Sequence, residues 1–177
     1  LGVTLSTPDA DKYGYERDEL IGRIKVMLGG RVAEQVVFGQ TTTGAESDIQ
    51  QLTRVARSMV ARWGMSDAIG PLAVAASDGE GPLLPGVSDT SEETQRVVDA
   101  EVRRIVEDAE LETLELLRRE RGRLDALATA LLERETLDQD EAYAVAGVPV
   151  PQVPEPARRQ GAAGSGAGAG SGSTGPA

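Results

Sequence analysis

A chain of 177 residues with 40% hydrophobic side chains is large enough to bury one globular core, and aromatics at 3% make that core aliphatic. Its 29 acidic residues against 18 basic ones leave a net charge of -11, which repels phosphate backbones and anionic membrane surfaces and argues against nucleic-acid binding. Cysteine and histidine are both absent. Disulfides, thiolate metal sites and cysteine nucleophiles are therefore excluded, and so is the commonest general base and zinc ligand from any site this chain builds alone.

In chain order, "LGVTLSTP" reads as a short strand with Val3 and Leu5 on one face, ended by Pro8. It has no partner strand in the sequence, and the preferred reading is a strand that pairs with something upstream of Leu1, the other being an extended arm. A first helix is expected from about Asp18 to Gly39, with Leu20, Ile24, Met27 or Leu28, Val32 and Val36 on its apolar face. Gly29 and Gly30 in its middle cost a helix about 1 kcal/mol each relative to alanine. They imply either a break or the close approach of another backbone, and spacing alone does not choose.

A second helix follows with Ala45, Ile49, Leu52, Ala56, Met59 or Val60 and Trp63 as its stripe, Thr43 and Glu46 as a capping box, and Gly64 as a left-handed cap. "IGPLAVAASDGEGPLLPG" then reads as turn, short extended segment and loop, because Pro71, Pro82 and Pro85 interrupt regular structure. "SDTSEE" announces a long third helix through Val98, Val102, Ile105, Ala109, Leu114 and Leu117. "RRERGRLDALATALLERE" either continues it past a kink at Gly122 or folds back as a hairpin through Leu124, Leu127 and Leu131. A last helix from about Asp138 to Ala146 ends at Gly147. The domain is thus expected over residues 1–147, and 148–177 as a proline-, glycine-, alanine- and serine-rich disordered tail. No apolar run approaches the length of a membrane span, so the chain as it stands is expected to be soluble.

Asp48 is the residue that calls for chemistry. Helical spacing puts it on the flank of Leu52, Val55 and Met59, away from the face of Gln50, Arg54 and Arg57, so its carboxylate is expected to point inward or sideways. A structural role is available, since an acid in a first turn complements the helix dipole by about 0.3–1 kcal/mol. The functional alternative is a metal ligand or catalytic carboxylate. No H-E-x-x-H, glycine-rich phosphate loop or nucleophile elbow is present to support it within the chain.

"LGGRVAEQVVFG", "TTGAESDIQQLTRVARSMVARWGMSDAIGPLAV", "SEETQRVVDAEVRRIVEDA" and "LLERETLDQDE" resemble the peptidase domain of the FtsH family of membrane-anchored, ATP-dependent zinc metalloproteases, over Leu1 to about Gly147. Ser47 stands where the family often has asparagine. The resemblance implies a mainly α helical metallopeptidase fold and a zinc site made of two histidines and a third ligand, an aspartate whose position Asp48 occupies. It also implies a general-base glutamate on an H-E-x-x-H helix that lies upstream of Leu1 in the family. It places Gly29 and Gly30 inside one long helix, and Glu34 near enough to stand behind the metal ligands. Its further implications are ATP use by an attached ATPase ring, protein substrates, a homo-hexamer, and membrane anchoring upstream with the peptidase domain facing the cytoplasm. The chain would then be the C-terminal part of such an enzyme, inactive alone. The alternative is a non-catalytic helical assembly module of the same kind of ring.

Overall fold

Leu20, Ile24, Leu28 and Val32 recur every four residues and form one buried row down the first helix, α1 (Arg17–Phe38). The computed structural model describes residues 14–74 and 90–150. The strand expected at 1–8, most of the loop before the third helix and the tail from residue 151 lie outside the described residues. A 3-10 turn (Thr43–Ala45) leads into α2 (Glu46–Ala61), and α3 (Glu92–Arg119), α4 (Arg121–Arg134) and α5 (Gln139–Ala146) follow; no strand occurs among the described residues.

The core is a three-helix arrangement. Leu52, Ala56, Met59 and Val60 of α2 and Val98, Val102, Ile105 and Ala109 of α3 close on the α1 row. All three helices touch one another, so each buries one stripe and leaves its charged face in water. α1 runs through Gly29 and Gly30 without a break, because the row resumes in phase at Val32 and its burial outweighs the glycine penalty. A Cβ built on either glycine meets nothing within 4 Å, so no other described segment approaches there.

Two details of α2 differ from expectation. Ile49 and Trp63 are 37% and 47% exposed. Trp63 lies past the helix end at Ala61, and at the other end the small Ala45 takes the inner place. The capping box of Thr43 and Glu46 does not form. Thr43 is already inside the 3-10 turn, and the extended residue able to cap is Thr42, whose side chain accepts from the Gly44 N–H. Gly64 is left-handed as expected, with φ +62.

α3 starts at Ser91, whose hydroxyl accepts from the Thr94 N–H, and it carries Glu92 and Glu93 in its first turn and Arg118 and Arg119 in its last, matching the dipole at both ends. The break after it falls at Glu120, with φ -98 and ψ 23, two residues before the expected kink at Gly122. α4 does not fold back on α3 as a hairpin. It packs with α5, because α3 has already committed its apolar row to α1 and α2. α5 has a full capping box between Asp138 and Glu141 and ends at left-handed Gly147.

Candidate functional site at the start of the second helix

Asp48 sits in the first turn of α2 and is exposed. Its carboxylate makes no hydrogen bond or ion pair with any described residue. The expectation is a carboxylate pointing inward or sideways; the residue stands at the exposed start of α2, and the buried row of the helix begins one turn later at Leu52. A solvated, unpaired carboxylate at a helix N-terminus carries no desolvation penalty and is open to an external cation.

The segment leading into this turn is held from α1. The Glu34 carboxylate accepts two hydrogen bonds from one residue, the Thr42 N–H to Oε2 at 2.8 Å and the Thr42 hydroxyl to Oε1 at 2.9 Å. Thr42 Oγ1 in turn accepts from the Gly44 N–H at 3.2 Å, which sets the 3-10 turn that becomes α2. Glu34 therefore bonds to the approach to the helix, not to Asp48.

Among the described residues, no three His, Cys, Asp or Glu side chains come together as a metal-binding group. With histidine and cysteine absent from the whole sequence, the zinc that the resemblance implies would find only carboxylates here, and no three of them gathered among the described residues. The chain does not make a complete zinc site from its own described residues.

Sequence reasoning passed over a second polar cluster. Ser66, 4% exposed, donates to Glu101 Oε2 at 2.7 Å, and Arg104 donates to both Glu101 oxygens at 3.0 and 2.9 Å. The Arg104 bonds, then the Ser66 bond, hold the Glu101 carboxyl down to about 2, against an ordinary 4.5. The bonds to Glu101 push Arg104 up. The cluster fastens the turn after α2, where Arg17 also donates to the Met65 carbonyl at 3.4 Å and the Val74 N–H to the Ala61 carbonyl at 2.8 Å. Every partner of Glu101 is spent inside the protein, so this cluster is structural. Ser66 and Glu101 are 35 residues apart, and no local pattern could have joined them.

A family model described as Peptidase family M41 matches residues 1–145. The chain is 61% identical over 166 residues to an "ATP-dependent zinc metalloprotease FtsH 3" of Conexibacter woesei, covering 90% of this chain and 22% of that protein. It is 47% identical to an "ATP-dependent zinc metalloprotease FtsH" of Thermobaculum terrenum, covering 89% of this chain and 25% of the relative. A protein of the same description from Nitrosococcus oceani is 45% identical, with 82% and 23% covered. The chain thus spans about a quarter or less of the length of these curated relatives. On a match that takes in both α1 and the Asp48 turn and continues into α5, the chain belongs to peptidase family M41.

Proposed function

We propose that this chain is the C-terminal part of the peptidase domain of an ATP-dependent zinc endopeptidase, and that Asp48 is one of its metal ligands. The observation that carries this is the 61% identity, over 90% of the chain, to a relative named as such a protease. In this reading two histidines and a glutamate outside the present sequence complete the site. The protein works as a homo-hexamer, takes protein substrates from an attached ATPase ring, and is anchored to the membrane, with its peptidase domain facing the cytoplasm, through segments outside this sequence. No described helix is long and apolar enough to cross a membrane.

Zinc supplies Lewis acidity towards a peptide carbonyl and towards water. The chain's own contribution is geometric. The first turn of α2 presents a carboxylate that has no competing partner within the described residues, and the core row behind it holds α2 in place.

Asp48→Asn in the intact protein tests the assignment. It keeps the size and helix position and removes the charge, so zinc content and cleavage of a reporter protein are expected to fall together while helicity is unchanged. Glu46→Gln, which removes a neighbouring first-turn charge, is expected to leave both intact. An Asp48→Asn protein that cleaves at the parental rate with full zinc content would falsify the ligand assignment. A parent protein that holds no zinc and cleaves nothing would instead support the non-catalytic assembly module.

A further inference from the structure

The geometry points to Glu34 and Thr42 as a positioning pair that sets where Asp48 stands; the inference rests on the reading of Asp48 as a metal ligand. Asp48 has no described partner of its own, so its position depends on how firmly the start of α2 is held. That start is poorly secured locally. The N-cap of α2 is Ala45, which has no side chain able to accept a backbone N–H, and Glu46 is occupied with Gln50 at 3.3 Å.

What replaces a local cap is a relay from another helix. Glu34 lies on α1 one turn before its end, only two residues beyond the buried Val32, so its backbone belongs to the rigid core. Its two oxygens take the N–H and the hydroxyl of the same threonine, which fixes both the backbone and the side-chain rotamer of Thr42. With its hydrogen committed to Glu34, the hydroxyl presents a lone pair to the Gly44 N–H. Gly44 carries no side chain; a Cβ there would sit 3.3 Å from Thr42 Oγ1, a tight contact that would press on the hydroxyl. The carboxylate thereby orders the 3-10 turn that leads into the first turn of α2, where Asp48 stands four residues beyond Gly44.

The test uses Thr42→Val, which removes the hydroxyl and keeps the shape and the N–H, and Glu34→Ala, which removes the clamp. Thr42→Ser, which keeps the hydroxyl, serves as the rescue. In this chain, amide exchange at residues 44–48 is expected to quicken about five- to tenfold in the first two variants, the effect of losing one cap, and to stay parental in Thr42→Ser. Amides of Met59–Ala61 at the far end of α2 are expected to be unchanged, which a global loss of stability would not allow. In the intact protein the same two variants are expected to bind zinc about five- to tenfold more weakly and to regain parental kcat when zinc is raised, whereas Asp48→Asn is not rescued.

Unchanged exchange at residues 44–48 overturns the relay. Faster exchange with unaltered zinc affinity overturns its positioning role and leaves the Asp48 assignment standing. An Asp48→Asn protein with normal zinc content overturns the ligand assignment itself.

Discussion

At the level of single residues, Gly64 and Glu101 do the most for the turn that leaves α2. Gly64 holds φ +62, and a Cβ there would lie 2.9 Å from the Pro71 Cα and 3.3 Å from the Gly70 carbonyl oxygen. Both neighbours are backbone and cannot swing aside. Gly64→Ala is expected to cost about 1–2 kcal/mol for the left-handed conformation alone, and more for the clash, read as a fall in the urea midpoint. An unshifted midpoint would show that the turn can relax. Glu101 makes a prediction about acid. Its folded-state carboxyl titrates near 2 and its ordinary value is 4.5, so the folded protein holds the charged form more tightly than the unfolded chain does. That stability is fully present above about 4.5 and is lost as pH falls from there towards 2. Glu101→Gln is therefore expected to destabilise by about 1–2 kcal/mol at neutral pH and to match the parent near pH 2. A gap that persists at pH 2 would place the effect in packing instead of charge. Gly64 was legible from sequence, because a glycine closing an apolar stripe is a local signal. Glu101 was legible only in part: Arg104, three residues on, is a helical neighbour, but Ser66 reaches it from the turn after α2, 35 residues away in sequence.

At the level of elements, α1 shows how a periodic row overrides local propensity. Leu28 and Val32 flank the two glycines and are 1% and 0% exposed, so the helix is held by what it buries on one side. The glycines themselves face open space in this chain. Replacing Gly30, the more exposed of the two, by alanine is expected to raise the stability of this chain by up to about 1 kcal/mol, since it removes backbone entropy from the unfolded state and meets no obstacle in the folded one. Thermal melting checks this; a lower melting temperature would mean that the open side of α1 is covered by residues outside those described. The buried faces of α1, α2 and α3 were legible because four-residue spacing is the direct image of a helix packed on one side. The capping of α2 was not. Three consecutive threonines offer three possible registers, and the choice among them is made by Glu34, eight residues upstream of Thr42.

At the level of the whole molecule, burial among the described residues is confined to α1, the 3-10 turn, α2, the turn after it and α3; α4 and α5 contain no buried residue. Sequence periodicity showed that α4 has an apolar side but could not show that its partner is α5, since Leu124 and Leu127 fit either neighbour. The pair is joined internally by Arg134 and Glu141 at 3.4 Å, and Leu132 stays 86% exposed. Its tie to the core, apart from the chain itself at Glu120, includes the Arg121 guanidinium, which donates to the Val36 carbonyl at the end of α1 at 3.3 Å. α1 has no basic residue in its own last turn, so Arg121 supplies the positive charge that its C-terminus lacks. Two consequences can be measured. Amide exchange in α4 and α5 is expected to proceed through local opening at a much lower free energy than in Ile24, Leu52 or Val102, which open only with the core. Ending the chain after Glu120 is expected to leave the three-helix core folded, at a loss of about 0.5–1.5 kcal/mol for the Arg121 hydrogen bond, and Arg121→Ala in the full chain is expected to reproduce that loss. If the shortened chain fails to melt cooperatively, or if α4 amides exchange at the rate of the core, then α4 and α5 are part of the folding unit and the separation inferred from burial is wrong.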